Sequence, residues 1–150
     1  MLIVIATKEE MKLVEEFGYS GYPVLITGVG AINVINALKD LPKDTYIVNI
    51  GYAGSNKLKI GEVVEVSRSY TYHPSVEFNE GWERCLNPHC DIDCYTSTDF
   101  ITKTDIKEPC VFDMELAFIT AMFDNVKSIK VVSDNLSLKE YEEKIKWLKK

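Results

Sequence analysis

The chain has 150 residues, of which 46% are hydrophobic, and carries a formal charge of -6. That length and apolar content suit one globular domain, residues 1–150, with a core large enough to need no staples. Arg68 and Arg84 are the only arginines, so there is no basic stripe to track a nucleic-acid backbone.

The opening "MLIVIATKEEMKLV" has no basic leader region and soon reaches charge, too early for a signal peptide or a membrane span. A cytoplasmic protein without a membrane partner is expected. Within this stretch "LIVIA" reads as a buried strand. "KEEMKLVEEF" follows as a helix, with Met11, Leu13, Val14 and Phe17 at helical spacing and Gly18 ending it. "PVLITGVG" is a second strand running into glycines, "AINVINALKDL" a second helix, and "TYIVNIGYAG" a third strand. Strands alternating with helices of this length predict an α/β fold, a central mixed, partly parallel sheet flanked by helices.

The pattern then changes. "KIGEVVEVSRSYTYH" alternates valines with polar residues and has no helix before it, so a hairpin or curled strand is expected. Residues 74–93 hold two prolines and no clear period, and read as a long loop, which in a compact domain is usually functional or at an interface. "CYTSTDFIT" and "KEPCVFDM" are further strand candidates, "SIKVVSDNLS" is the last strand, and "LKEYEEKIKWLKK" is an amphipathic terminal helix.

Three features invite chemistry. Cys85, His89, Cys90 and Cys94 lie within ten residues, enough thiolate and imidazole for tetrahedral zinc. Neither gap has knuckle spacing and no second pair exists, so a reduced loop without metal is expected. "TGVGAIN" is a strand-turn-helix junction that could cradle a phosphate, or be a tight turn that lets the helix pack on the sheet. In "VFDMELAFITAMF", every residue after Met114 except Glu115 and Thr120 is apolar, so the helix should be buried. Asp113 fits as its N-cap, and Glu115 would meet the positive end of its dipole.

Taken in order, "IATKEEMKLV", "TGVGAINVINAL", "IVNIGYAG", "KIGEVVEV", "YTYH", "STDFI", "FDMELAFI" and "VVSDN" resemble the purine nucleoside phosphorylase and nucleosidase superfamily, and most closely its methylthioadenosine/S-adenosylhomocysteine nucleosidase branch. The resemblance covers most of residues 1–73 and 95–137, in a shortened form. It implies that Met114 packs against a ribose and that Glu115 accepts hydrogen bonds from its 2' and 3' hydroxyls. Asp134, supported by Ser133, would protonate the purine at N7, and Glu9 would position and deprotonate the attacking water. Phe100 would stack on the base, the backbone of Ile101 would read its edge, and Val29, Ala53 and Gly54 would close over ribose and base. The same resemblance implies a homodimer, with loop residues such as Val76, Phe78 or Trp82 covering the 5' end of the substrate.

The chemistry wants these residue types. A purine leaves as an anion unless N7 is protonated first, which calls for an acid of raised pKa beside the base. The sugar gains oxocarbenium character, which a carboxylate stabilises and water attacks. No metal or organic cofactor is required. Each residue also has a plainer reading: Glu9 on a solvated helix face, Asp134 as a turn residue, Phe100 as core. Phosphorylases of the superfamily hold phosphate mainly with arginines, and residues 1–67 contain none, so water is the expected nucleophile. A purine nucleosidase acting on adenine-type, 5'-substituted nucleosides is the resulting expectation; a phosphorylase and a non-catalytic nucleoside-binding relative are the alternatives.

Overall fold

The computed structural model describes residues 1–73, 81–137, 139, 140, 142 and 143. Val76, Phe78 and most of the expected terminal helix lie outside the described residues. Among the described residues eight strands form one sheet: β1 (Leu2–Ile5), β2 (Val24–Ile26), β3 (Tyr46–Ser55), β4 (Val63–Thr71), β5 (Glu83–Cys85), β6 (Ile92–Thr96), β7 (Cys110–Asp113) and β8 (Asn125–Asp134). Among the described residues three helices accompany them: α1 (Met11–Glu16), entered through a 3-10 turn (Lys8–Glu10), α2 (Ala31–Leu38) and α3 (Leu116–Met122).

The two β-α units expected at the start form as read, and they place β1 parallel to both β2 and β3. What the alternating pattern does not reveal is closure. β3 pairs with β8 along its length and with β7 at its end, β8 pairs with β4, β4 with β6, and β6 with β7. These five strands therefore close a ring, and the expected helix-flanked sheet is instead barrel-like, with only modest helical cover. β4 changes partner along its length, from antiparallel β8 at its start to parallel β6 and antiparallel β5 toward its end, as a curled strand does. The long loop read at 74–93 is interrupted by β5, which pairs antiparallel with β4 through Arg68 to Tyr70.

Alternation along the strands sorts the core into two faces. On one, Val48, Ile50 and Val131 pack with Ile3, Ile5, and with Leu13 and Val14 of α1. On the other, Ile47, Ala53 and Val132 pack with Val34 and Leu38 of α2 and Leu116, Ile119 and Phe123 of α3. Each fully buried valine, leucine, isoleucine or phenylalanine among them contributes about 1.5–3 kcal/mol, so both faces are firmly held. A third cluster, Tyr72, Ile101, Cys110 and Phe112, joins the end of β7 to the loop after β6.

α3 is buried as its composition predicts. Its start is fixed by Asp113, whose Oδ2 accepts the Leu116 N–H at 2.8 Å, so Asp113 does cap the helix. Glu115 does not lie along a solvated first turn; it is turned inward and only 9% exposed. No helix among the described residues is long and apolar enough to cross a membrane.

Candidate active site

The C-terminal ends of β1, β3, β7 and β8 converge with the turn after β2, and between them lies a cavity of about 280 Å³. Of the residues expected to form a site, Val29, Ala53, Gly54, Phe100, Met114, Glu115, Ser133 and Asp134 all line it. Ile101 lines a smaller recess that shares Gly54, Phe100, Met114 and Asp134 with the main cavity. Segments more than 100 residues apart in the chain thus meet at one place.

Asp134 is the last residue of β8 and has no exposed surface. Its Oδ2 accepts from the Ser133 hydroxyl at 2.8 Å, and its Oδ1 accepts the Leu136 N–H at 2.9 Å. Burial raises its pKa, and these two hydrogen bonds offset only part of that rise. The register of β3 against β8 slips between Ala53 and Gly54, so Gly54 lies opposite Asp134 itself. A Cβ at Gly54 would stand 2.8 Å from Asp134 Oδ1 and 3.1 Å from the Leu136 side chain. Gly54→Ala should therefore displace the carboxylate, costing about 1–3 kcal/mol as overpacking does and reducing any activity that depends on Asp134; thermal unfolding alongside a turnover assay reads both.

Glu9 is half-buried and does not line the cavity. Its neighbour Glu10 does, and is 6% exposed. In a 3-10 turn successive side chains point about 120° apart, so only one of two adjacent glutamates can face inward. Glu10 shares the apolar side of the helix with Leu13, Val14 and Phe17, whereas Glu9 falls in line with Lys12 and Glu16. The inward carboxylate is pinned at both oxygens. Oε1 accepts the Ala6 and Thr7 N–H groups at 2.9 and 3.0 Å, and Oε2 accepts the Tyr52 N–H at 2.8 Å. Burial nevertheless raises the Glu10 pKa against those bonds. Placing Glu9 at the site is thus corrected to Glu10.

Glu115 reaches across to the turn after β2, where its Oε2 accepts the Gly30 N–H at 3.0 Å. Gly28 and Gly30 both have positive φ, 92° and 90°, which lets the chain turn and point that N–H at the carboxylate. A carboxylate therefore already sits at the start of α2, where the glycine-rich turn could have held a phosphate. Burial first, and the neighbouring Asp113 carboxylate second, push the Glu115 pKa up to about 8.

Behind these groups lies an ion pair that sequence reasoning missed. Lys130, 1% exposed, places Nζ 2.9 Å from Asp113 Oδ2. Asp113 Oδ1 also accepts the Thr96 hydroxyl at 2.5 Å, and Thr96 Oγ1 in turn accepts the Ala117 N–H. Burial alone would raise the Asp113 pKa, but Lys130, Thr96 and the Leu116 N–H more than offset it, so the carboxyl stays ionised. Asp113 in turn raises the Lys130 pKa against its burial.

Of the four cysteines, Cys94 and Cys110 are buried, Cys90 is half-buried and Cys85 is exposed. Among the described residues, no group of three or more His, Cys, Asp or Glu side chains is arranged to hold a metal. Trp82 donates its indole N–H to Thr120 on α3 and does not line the cavity.

The mixed, barrel-like sheet with its helices has the fold of solved methylthioadenosine/S-adenosylhomocysteine nucleosidase structures. The chain is similar to an MTAN from Chlamydia trachomatis solved with MTA bound, at a TM-score of 0.72 and 16% identity over 99% of this chain and 90% of that one. It is similar also to a Helicobacter pylori MTAN mutant holding 5'-methylthioadenosine in its active site (TM-score 0.69, 15% identity, 98% and 90% covered). A futalosine hydrolase mutant from Helicobacter pylori matches comparably (TM-score 0.69, 14% identity, 97% and 90% covered). Neither a protein-family model nor a curated protein sequence matches the chain.

Proposed function

We propose that the protein is a purine nucleosidase that hydrolyses the N-glycosidic bond of adenine-type, 5'-substituted nucleosides. The observation that carries this reading is the gathering in one cavity of three buried carboxyl groups, Glu10, Glu115 and Asp134, each with a raised pKa, around the apolar surfaces of Met114 and Phe100. Enclosed acids of this kind are functional-site candidates. The shared fold with nucleosidases, two of them holding methylthioadenosine, supports the same conclusion.

In this mechanism the base lies against Phe100, its edge toward the Ile101 backbone, and the sugar packs on Met114 beneath Val29, Ala53 and Gly54. Asp134, supported by Ser133, donates its proton to N7. The C1'–N9 bond breaks with both electrons leaving on the now neutral purine. Glu115 hydrogen-bonds the 2' and 3' hydroxyls and stabilises the oxocarbenium-like sugar. Water held by Glu10 attacks C1', and Glu10 takes its proton. A base with a raised pKa suits that step near neutral pH.

Water is favoured over phosphate as nucleophile by two features. The described lining of the cavity contains no arginine or lysine, and the start of α2 is already occupied by Glu115. The test is release of free purine from methylthioadenosine, S-adenosylhomocysteine, adenosine, inosine and futalosine, with and without phosphate. Release without phosphate is expected. Release only with phosphate would make the protein a phosphorylase, and saturable binding without release would make it a binding protein.

We place a homodimer interface on the outer face of α2. Ile32 and Ile35 are 83% and 47% exposed, and Ile26 and Val29, just before α2 in the chain, are exposed too, Val29 also lining the cavity. Exposed apolar residues on a helix whose preceding turn lines a binding site suit self-association that completes that site. Ile32→Glu should shift sedimentation from dimer toward monomer; wild-type protein that sediments only as monomer at high concentration would refute the assignment.

A further inference from the structure

Lys130 is a fully buried lysine in the run "SIKVVSD", on the face of β8 that packs under α3 rather than toward solvent. Its strand partner on β3 is Gly51. A Cβ at Gly51 would stand 2.6 Å from Glu10 Oε2 and 3.6 Å from Lys130 Nζ. The missing side chain is therefore what lets the Glu10 carboxylate lie over Gly51, where a Cβ would still leave the ammonium in ordinary contact; the two charges are no more than about 6 Å apart, a range within which an opposite charge favours ionisation. They are not in direct ionic contact; the ammonium is bound to Asp113 at 2.9 Å.

Five titratable groups meet here from separate elements: Glu10 from the 3-10 turn, Cys94 from β6, Asp113 from β7, Glu115 at the start of α3 and Lys130 from β8. The Tyr52 phenol on β3 also feels Glu10. Asp113 and Lys130 neutralise each other, and Cys94 stays a neutral thiol because burial raises its pKa well above the ordinary value. That leaves Glu10 and Glu115, both facing the cavity and both raising their energy when ionised together.

We propose that the Asp113–Lys130 pair is a positioning element for this site, and that the charge balance within the pair sets the proton occupancy of Glu10 and Glu115. Lys130 favours the carboxylate at both positions, and Asp113 opposes it at Glu115. Removing either member should thus displace the glutamates in opposite directions, an outcome that a merely structural salt bridge does not produce. The inference rests on the nucleosidase reading only for its consequence in turnover.

The experiment is a pH titration of side-chain carboxyl carbons by NMR in glutamate-labelled protein, with Glu10→Gln and Glu115→Gln assigning the two signals. In Lys130→Met both midpoints are expected at higher pH than in wild type, and Lys130→Arg should return them toward it. In Asp113→Asn the Glu115 midpoint, which burial and the Asp113 carboxylate hold above the ordinary range, is expected to move down. Unchanged midpoints, or displacement in the same direction in both variants, would overturn the proposal. Should Lys130→Met fail to fold, Asp113→Asn decides alone, since a Glu115 midpoint that does not fall refutes it. The titration needs no substrate. Absence of base release with displaced midpoints would count against the nucleosidase alone, and normal release with fixed midpoints against this inference alone.

Discussion

Asp134→Asn should lower base release by about 10²- to 10⁴-fold, the usual worth of a positioned general acid, while leaving the protein folded. The amide keeps the shape of the carboxyl group, and its oxygen can still accept the Leu136 N–H that Asp134 Oδ1 accepts at 2.9 Å. It cannot deliver a proton to N7. Because the carboxyl is buried and its pKa raised, the wild-type side chain holds that proton to higher pH than an exposed aspartate would, so the alkaline limb of the rate profile should lie above the ordinary carboxylate range. A substrate whose base leaves without protonation should react at nearly the same rate with both forms. Full activity of Asp134→Asn on methylthioadenosine, with circular dichroism unchanged, would remove the mechanism.

Glu10→Gln and Glu9→Gln form the second discriminating pair. Both change one glutamate to its amide in the same turn. Only Glu10 lines the cavity, with its oxygens held by the N–H groups of Ala6, Thr7 and Tyr52. Glu10→Gln should therefore cost about 10²- to 10⁴-fold in kcat through loss of the base, plus stability, because an amide NH2 must now face a backbone donor and one of the buried bonds is lost, a penalty of about 1–3 kcal/mol. Glu9→Gln should remain within about twofold of wild type in turnover, because the Glu9 side chain does not line the cavity. Steady-state kinetics and thermal unfolding of the two variants separate the assignments. Equal losses in both, or loss only in Glu9→Gln, would return the base to position 9.

The chain order of strands and helices was legible because hydrophobic period is a local property. "LIVIA", "AINVINAL" and the apolar run after Asp113 announce buried strand, amphipathic helix and buried helix whatever surrounds them. The conflict between acids and an apolar setting at Asp113 and Glu115 was visible for the same reason, and so were most of the residues that line the cavity, through their place in a series of short motifs. The Glu10 position was also within reach, since Glu10 is spaced with Leu13, Val14 and Phe17 on one helical face.

Tertiary structure alone decided the rest. Closure of the sheet depends on β3 and β4 each serving several partners far away in the chain, and a period of two is silent about which strands pair. Lys130 sits between Ile129 and Val131, where a solvated strand residue could equally stand, and only the arrival of Asp113 at 2.9 Å makes its burial tolerable. The Gly30 N–H could have faced a phosphate until Glu115, 85 residues on, was found to hold it. What the sequence determined by itself was the set of elements and the acids they carry. Which acid faces inward, and in which charge state, follows from burial and from neighbours that only the folded chain brings within a few ångströms.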